Sequence, residues 1–238
     1  MSFTVARDIE AALAALLPPG VAVAATGVDG GGHELLADEL DAARSMVPRR
    51  RREFAAGRAC ARQALRSLGL PPVSLPVATD RSARWPSGTC GSITHAGHWA
   101  AAAAAPRVLL AGLGIDLEDC APLEPELVVR LCRPDELRAQ PPGLPPGTWP
   151  RVVFSAKESV YKCVRGHVGR FIDFDEVRVG TTGANAAASA DTCGTLCFAS
   201  ADPAADLGIV GGLAGGYAVA GGLIVTAAWL TPAASGGC

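Results

Sequence analysis

Two short stretches hold the residue types that could do chemistry. One is Ser155-Ala156-Lys157-Glu158-Ser159-Val160-Tyr161-Lys162, which contains both lysines of the chain. Every other basic residue apart from the histidines is arginine. Lysine and arginine are not interchangeable, so two lysines in one octapeptide point to a place where a compact ammonium is wanted. The other stretch is Gly112-Leu113-Gly114-Ile115-Asp116-Leu117-Glu118. Read as a strand, it places Asp116 and Glu118 on one face, with Cα atoms roughly 6–7 Å apart. Neighbouring carboxylates repel and need a cation. Hard oxygen ligands without histidine or cysteine favour Mg²⁺ or Mn²⁺, which keeps waters and takes substrate phosphates as further ligands. Two solvated acids at a strand end is the plainer reading.

The octapeptide also has two readings. Ser155 followed three residues later by Glu158 matches a capping box, with Lys162 a simple ion-pair partner of Glu158. Alternatively, Glu158 and Lys162 share a helix face that reaches a metal and a phosphate together. A third element is Trp85-Pro86-Ser87-Gly88-Thr89-Cys90-Gly91-Ser92-Ile93-Thr94-His95. Its Gly-Ser-x-Thr-His part reads as a turn presenting hydroxyls, an imidazole and backbone N–H groups to a phosphate.

These stretches need elements to carry them. Asp8–Leu16 reads as a helix stopped by Pro18-Pro19-Gly20, Val21–Ala25 as a strand, and Glu34–Ser45 as a second helix. A longer helix runs from Pro48 to Leu68 with Gly69 as its stop. Phe54, Ala61, Leu65 and Leu68 mark its core face. Arg51, Arg58 and Arg62 form a stripe on another face, either solvated or phosphate-binding, and Arg49, Arg50 and Arg52 crowd its first turn. Trp99–Ala105 and Val108–Asp116 read as strands joined around Pro106-Arg107. The first of them is nearly all alanine, against strand propensity. Ala121–Arg138 is partly helical, and Ala139–Pro150 reads as a Pro/Gly-rich loop. A helix at the octapeptide, strands near Val177–Val179 and Thr195–Phe198, and a hairpin turning at Gly221-Gly222 complete the chain. The order of elements repeats loosely in two halves.

Composition limits the function classes. With 238 residues the chain can bury a sizeable core, and a net charge of −2 argues against a nucleic-acid-binding or membrane-coating surface. The N-terminus lacks the pattern of a secretory signal. The eight cysteines are scattered without C-x-x-C spacing, which predicts reduced thiols and neither disulfides nor a zinc site. Leu207–Leu230 is uncharged and long enough to span a bilayer, but its glycines favour the hairpin. These features predict a soluble, cytoplasmic protein.

In order along the chain, Arg50, Arg58, Trp85-Pro86, Ser92-Ile93-Thr94-His95, Gly114-Ile115-Asp116-Leu117-Glu118 and Phe154-Ser155-Ala156-Lys157-Glu158-Ser159-Val160-Tyr161-Lys162 resemble the 4′-phosphopantetheinyl transferases of the Sfp type. The resemblance is particularly to the branch of the enterobactin synthetase D component. The resemblance covers more than half the chain. It implies an α+β fold of two similar halves in a pseudo-twofold arrangement, residues 1–112 and 113–238, with coenzyme A between them. It also implies transfer of phosphopantetheine from coenzyme A to a serine of an apo acyl, aryl or peptidyl carrier protein by a monomeric, Mg²⁺-dependent enzyme. By motif, Asp116, Glu118 and Glu158 match the acidic metal positions, with Glu158 also placed to serve as the base. Lys157 and Lys162 match the lysines near the pyrophosphate and the reacting serine, His95 a coenzyme A phosphate contact, and Arg50 and Arg58 the 3′-phosphate contacts. Asp80-Arg81-Ser82-Ala83-Arg84 lacks the Lys-Gly pattern common in relatives. The rival expectation is a non-catalytic regulator of the same fold that binds coenzyme A or a carrier.

Overall fold

The computed structural model describes residues 2–168, 172–182, 193–201 and 212–232. Strands β1 (Ala22–Gly27), β2 (Thr89–Ala96) and β3 (Trp99–Pro106) form an antiparallel sheet in the order β1-β3-β2. Strands β4 (Gly112–Asp119), β5 (Val177–Thr181), β6 (Cys193–Ser200), β7 (Leu213–Ala220) and β8 (Leu223–Leu230) form a second, in the order β4-β8-β7-β6-β5. The helices are α1 (Ser2–Leu16), α2 (Ala37–Ala43), α3 (Pro48–Ser67), α4 (Pro125–Leu131), α5 (Pro134–Arg138) and α6 (Trp149–Val168). The result is the expected α+β architecture of two halves, each laying a 20-residue helix, α3 or α6, on an antiparallel sheet.

The alanine strand has a physical reason. Ala100, Ala102 and Ala104 pack against Ala56, Cys60, Ala61, Ala64 and Leu65 of α3. Ala101, Ala103 and Ala105 face the opposite way, into a core with Ile9 and Leu13 of α1 and Leu113, Ile115 and Leu117 of β4. A strand packed closely on both faces has room only for methyl groups, so packing overrides propensity. Val108–Leu110 is not strand. The chain turns after Pro106, whose carbonyl accepts the N–H groups of Leu109 and Leu110, and β4 begins at Gly112. Instead of pairing with β3, β4 pairs with β8, opposing Asp116 to Thr226.

The Gly-Ser-x-Thr-His segment is strand β2 and not a turn. Both β2 and β4 are edge strands, and they lie beside each other. Side chains close the gap: Ser92 Oγ accepts the Ile115 N–H at 3.1 Å, and Thr94 Oγ1 accepts the Leu117 N–H at 3.2 Å. The two sheet edges thus cover each other, and the Ile115 and Leu117 donors are satisfied without a continuous ladder.

The arginine stripe is mostly buried. Arg62 lies in a buried ion pair with Glu39 at 2.8 Å, and Arg58 donates its Nε–H to the Leu75 carbonyl at 2.7 Å while stacking on Phe54. Of the three, Arg51 is exposed. The Gly221-Gly222 hairpin forms as expected, and no described helix is long and apolar enough to cross a membrane. The part of the uncharged segment before residue 212, and Cys238, lie outside the described residues.

On β4, Gly112, Gly114, Asp116 and Glu118 alternate with core residues and share one face. A Cβ at Gly114 would lie 1.8 Å from the Ser159 carbonyl oxygen of α6, and one at Gly112 2.4 Å from that of Cys163. Glycine is therefore required for the strand to touch the helix backbone. Gly114→Ala should cost about 3 kcal/mol or more, because the contact is backbone and cannot rotate away. A methyl group at Gly166 in α6 would instead meet nothing within 4 Å. Gly166→Ala should therefore stabilise by roughly 0.5–1 kcal/mol. Urea unfolding of the two variants checks both signs.

Candidate active site

With β4 pressed against α6, Asp116 emerges just beyond the two glycines and faces that helix. The residue is 6% exposed and both of its carboxylate oxygens accept hydrogen bonds. Oδ1 accepts from Lys162 Nζ at 2.6 Å and Thr94 Oγ1 at 3.1 Å, and Oδ2 accepts from Ser155 Oγ at 2.9 Å. Thr94 therefore spends its proton on Asp116 and a lone pair on the Leu117 N–H. Behind Ser155, Thr226 Oγ1 hydrogen-bonds to both Ser155 Oγ and Ser159 Oγ at 2.8 Å. The buried acid is held by one cation and a hydroxyl network, as a buried charge must be.

Ser155 lies in the interior of α6, which begins at Trp149, so it is not an N-cap. The capping-box reading fails because the helix starts about two turns earlier than the motif suggests. Lys162 Nζ also donates to the Ile115 carbonyl at 3.2 Å. Glu158 is half-buried and accepts no hydrogen bond among the described residues. Burial pushes its pKa up, with Asp116 adding to the effect and Lys162 opposing it. Glu118 is also raised by burial and by the charge of Asp116, against an ion pair with Arg151 at 2.9 Å. Arg151 is fixed in turn by the carbonyls of Ala121 and Pro122.

The N-terminal half contributes Arg50 and His95. Arg50 contacts Nε2 of His95 and pairs with Glu53 at 3.3 Å. Arginine can only donate, so in this contact Nε2 is the acceptor. Burial and the positive charge of Arg50 lower the His95 pKa, the carboxylate of Glu53 opposes them, and Lys162 and Asp116 act more weakly in opposite directions. His95 thus feels Arg50 from its own half and Asp116 and Lys162 from across the β2–β4 seam. Burial lowers Arg58 to about 10, and its Nε–H already serves Leu75.

Two expectations are not met. Lys157 does not join the acidic cluster: it is buried, and its ammonium donates to Leu131 O, Glu136 Oε2 and Phe174 O. The three carboxylates Asp116, Glu118 and Glu158 do not form a closed ligand set, and among the described residues no three His, Cys, Asp or Glu side chains gather around a common point. The reason is local neutralisation, since Lys162 holds Asp116 and Arg151 holds Glu118. Hard carboxylate donors facing each other across β4 and α6 still fit a Mg²⁺-type ion held by one or two carboxylates, the usual arrangement when phosphates complete the shell. They do not fit a three-carboxylate cage. Sequence reasoning missed Thr94 and Ser155 as supports of Asp116, although both lie in the motifs singled out. Thr226 and Arg151 carry no sequence signal, because only folding brings them near.

The family model of the 4′-phosphopantetheinyl transferase N-terminal domain matches residues 38–105, and that of the 4′-phosphopantetheinyl transferase superfamily matches residues 112–210. The chain is 40% identical to the 4′-phosphopantetheinyl transferase Svp of Streptomyces mobaraensis over 139 residues, covering 56% of this chain and 55% of that one. It is 35% identical to the 4′-phosphopantetheinyl transferase Npt of Nocardia iowensis over 136 residues, covering 56% and 60%. It is 30% identical to the 4′-phosphopantetheinyl transferase PptT of Mycobacterium tuberculosis over 177 residues, covering 74% and 78%. The match thus spans little more than half the length of the first two relatives. Matching models in both halves, and a relative aligned over 78% of its length, show that the chain belongs to the 4′-phosphopantetheinyl transferase family.

Proposed function

We propose that the protein transfers 4′-phosphopantetheine from coenzyme A to a serine of an apo carrier protein or carrier domain, releasing 3′,5′-ADP, in siderophore, nonribosomal peptide or polyketide synthesis. The observation that carries this reading is the meeting of two charge systems across the β2–β4 seam. Arg50 and His95 stand on one side, and Asp116, Lys162 and Glu158 on the other. The names of the relatives support the same activity. In this reading residues 1–112 supply the 3′-phosphate and nucleotide contacts, chiefly Arg50, Arg58 and His95. Residues 113–238 supply the acid site and the catalytic helix.

The chemistry is a single displacement. The carrier serine oxygen attacks the β-phosphorus of coenzyme A, a new P–O bond forms, and the bond to the bridging oxygen breaks as 3′,5′-ADP leaves. Phosphoryl transfer of this kind needs charge neutralisation and in-line positioning more than a covalent intermediate. Glu158 accepts the serine proton, directly or through a water. Its raised pKa and half-buried position suit that role. Lys162 stabilises charge growing on the phosphoryl oxygens. Mg²⁺, held through Asp116 with Glu118 or Glu158, would neutralise the pyrophosphate and the leaving ADP.

Incubation with coenzyme A, Mg²⁺ and apo carriers, followed by intact-mass measurement of the carrier, is the direct test. A phosphopantetheine adduct is expected; coenzyme A binding with no adduct on any acyl, aryl or peptidyl carrier would point to the non-catalytic regulator. Asp116→Ala should lower turnover at least about a hundredfold with the circular dichroism spectrum unchanged, since the acid holds both Lys162 and the expected ion. Lys162→Arg should lose most activity, because a planar guanidinium cannot take the place of an ammonium 2.6 Å from Asp116 Oδ1. Wild-type turnover in that variant would mean that only positive charge matters.

A further inference from the structure

The two lysines of the chain do different work. Lys162 has a partly exposed side chain facing Asp116, whereas that of Lys157 is 2% exposed and paired with a fully buried Glu136 at 2.9 Å. An ammonium has three protons to donate. Those of Lys157 are all used, on Leu131 O at 2.9 Å, Glu136 Oε2 at 2.9 Å and Phe174 O at 2.8 Å. Glu136 is equally committed. Its Oε2 also accepts the Arg133 N–H at 2.7 Å, its Oε1 accepts the Val179 N–H at 2.8 Å, and its backbone carbonyl accepts the Trp149 indole N–H at 2.8 Å. One ion pair therefore joins the end of α4, the start of α5, the middle of α6, the segment before β5, and β5 itself.

Although Lys157 borders a cavity, a phosphate there could bind its ammonium only by displacing one or more of three short bonds at a buried site, which burial makes costly. The tripod of acceptors also accounts for lysine at this position in an otherwise arginine-using chain. Three acceptors converge on one point, which a compact ammonium satisfies and a planar fork does not. Lys157 and the next residue, Glu158, both line a cavity of about 50 Å³, together with Tyr161, Asp173, Phe174 and Val177. Phe174, whose carbonyl Lys157 grips, is part of that wall and stacks near Phe154 at 5.7 Å.

We propose that Lys157 is a positioning residue and not a coenzyme A ligand: its buried pair with Glu136 clamps α4, α5 and the 172–177 segment onto α6, and so fixes the wall beside Glu158. For its effect on turnover, the inference rests on the transfer reaction proposed above.

The test is a double-mutant cycle on the full chain with Lys157→Met, Glu136→Gln and the double variant. Thermal unfolding, coenzyme A affinity by calorimetry, and steady-state transfer well below the lowest Tm are measured for each. Lys157→Met leaves a buried carboxylate unpaired and should lower Tm by about 10 °C. The double variant should regain at least half of that loss. Coenzyme A affinity and KM should stay at wild-type values throughout. In Lys157→Met, kcat should fall about tenfold or more through misplacement of the wall beside Glu158, and recover in part in the double variant. Should Lys157→Met fail to fold, the double variant carries the affinity and kcat comparisons.

Tenfold weaker coenzyme A binding in both the single and the double variant, with Tm unmoved, would make Lys157 a phosphate ligand and overturn the proposal. A Tm loss with unchanged kcat would reduce the pair to a purely structural role and overturn the positioning claim. If the wild-type protein modifies no carrier, the transfer reading falls, yet the Tm cycle and the coenzyme A affinities still decide between clamp and ligand.

Discussion

The seam between β2 and β4 is the constraint on which the rest of the molecule depends. Two sheets meet edge to edge, and the N–H groups of Ile115 and Leu117 would be stranded without Ser92 and Thr94. Because Thr94 also donates to Asp116, the bond that closes the fold and the bond that aims the acid share one hydroxyl. Stability and site geometry are therefore coupled at a single atom. Neither half holds the site alone: His95 and Thr94 belong to one sheet, Asp116 to the other, and Lys162 to the helix above it.

Much of this was legible in the sequence where the signal is local. Pro48 and Gly69 bracket α3, the Gly221-Gly222 turn sets the last hairpin, and alternation on β4 puts Asp116 and Glu118 on one face. The sequence paired Lys162 with Glu158 along the helix, whereas the fold pairs it with Asp116 across to β4. What escaped was decided by distant partners. Strand β2 read as a turn because its Gly, Ser and Thr are loop-forming in isolation, and only a neighbouring strand edge gives their hydroxyls a structural use. The pairing of Asp116 with Thr226 joins residues far apart in the chain, and no periodicity announces it.

The arginines show the same limit from another direction. A helical stripe of Arg51, Arg58 and Arg62 reads as a charged surface, yet two of the three are buried against Glu39, Leu75 and Phe54. A buried guanidinium and an exposed one have the same letter, and the difference lies in acceptors contributed by α2 and by the loop after α3. Lys157 is the mirror case. Its motif position suggested substrate contact, while Glu136, Leu131 and Phe174 claim every proton it has.

The alanine strand β3 acts as a shim. It is one methyl thick on each side, with α3 resting on one face and the shared core on the other. Its thickness sets how far α3, which carries Arg50, stands from β2, which carries His95. The spacing of the Arg50–His95 pair is thus gauged by residues that bear no functional group. Thickening the shim at Ala102 would lift Arg50 off His95 with every polar residue unaltered, so the geometry of that pair is tunable from the least chemical part of the chain.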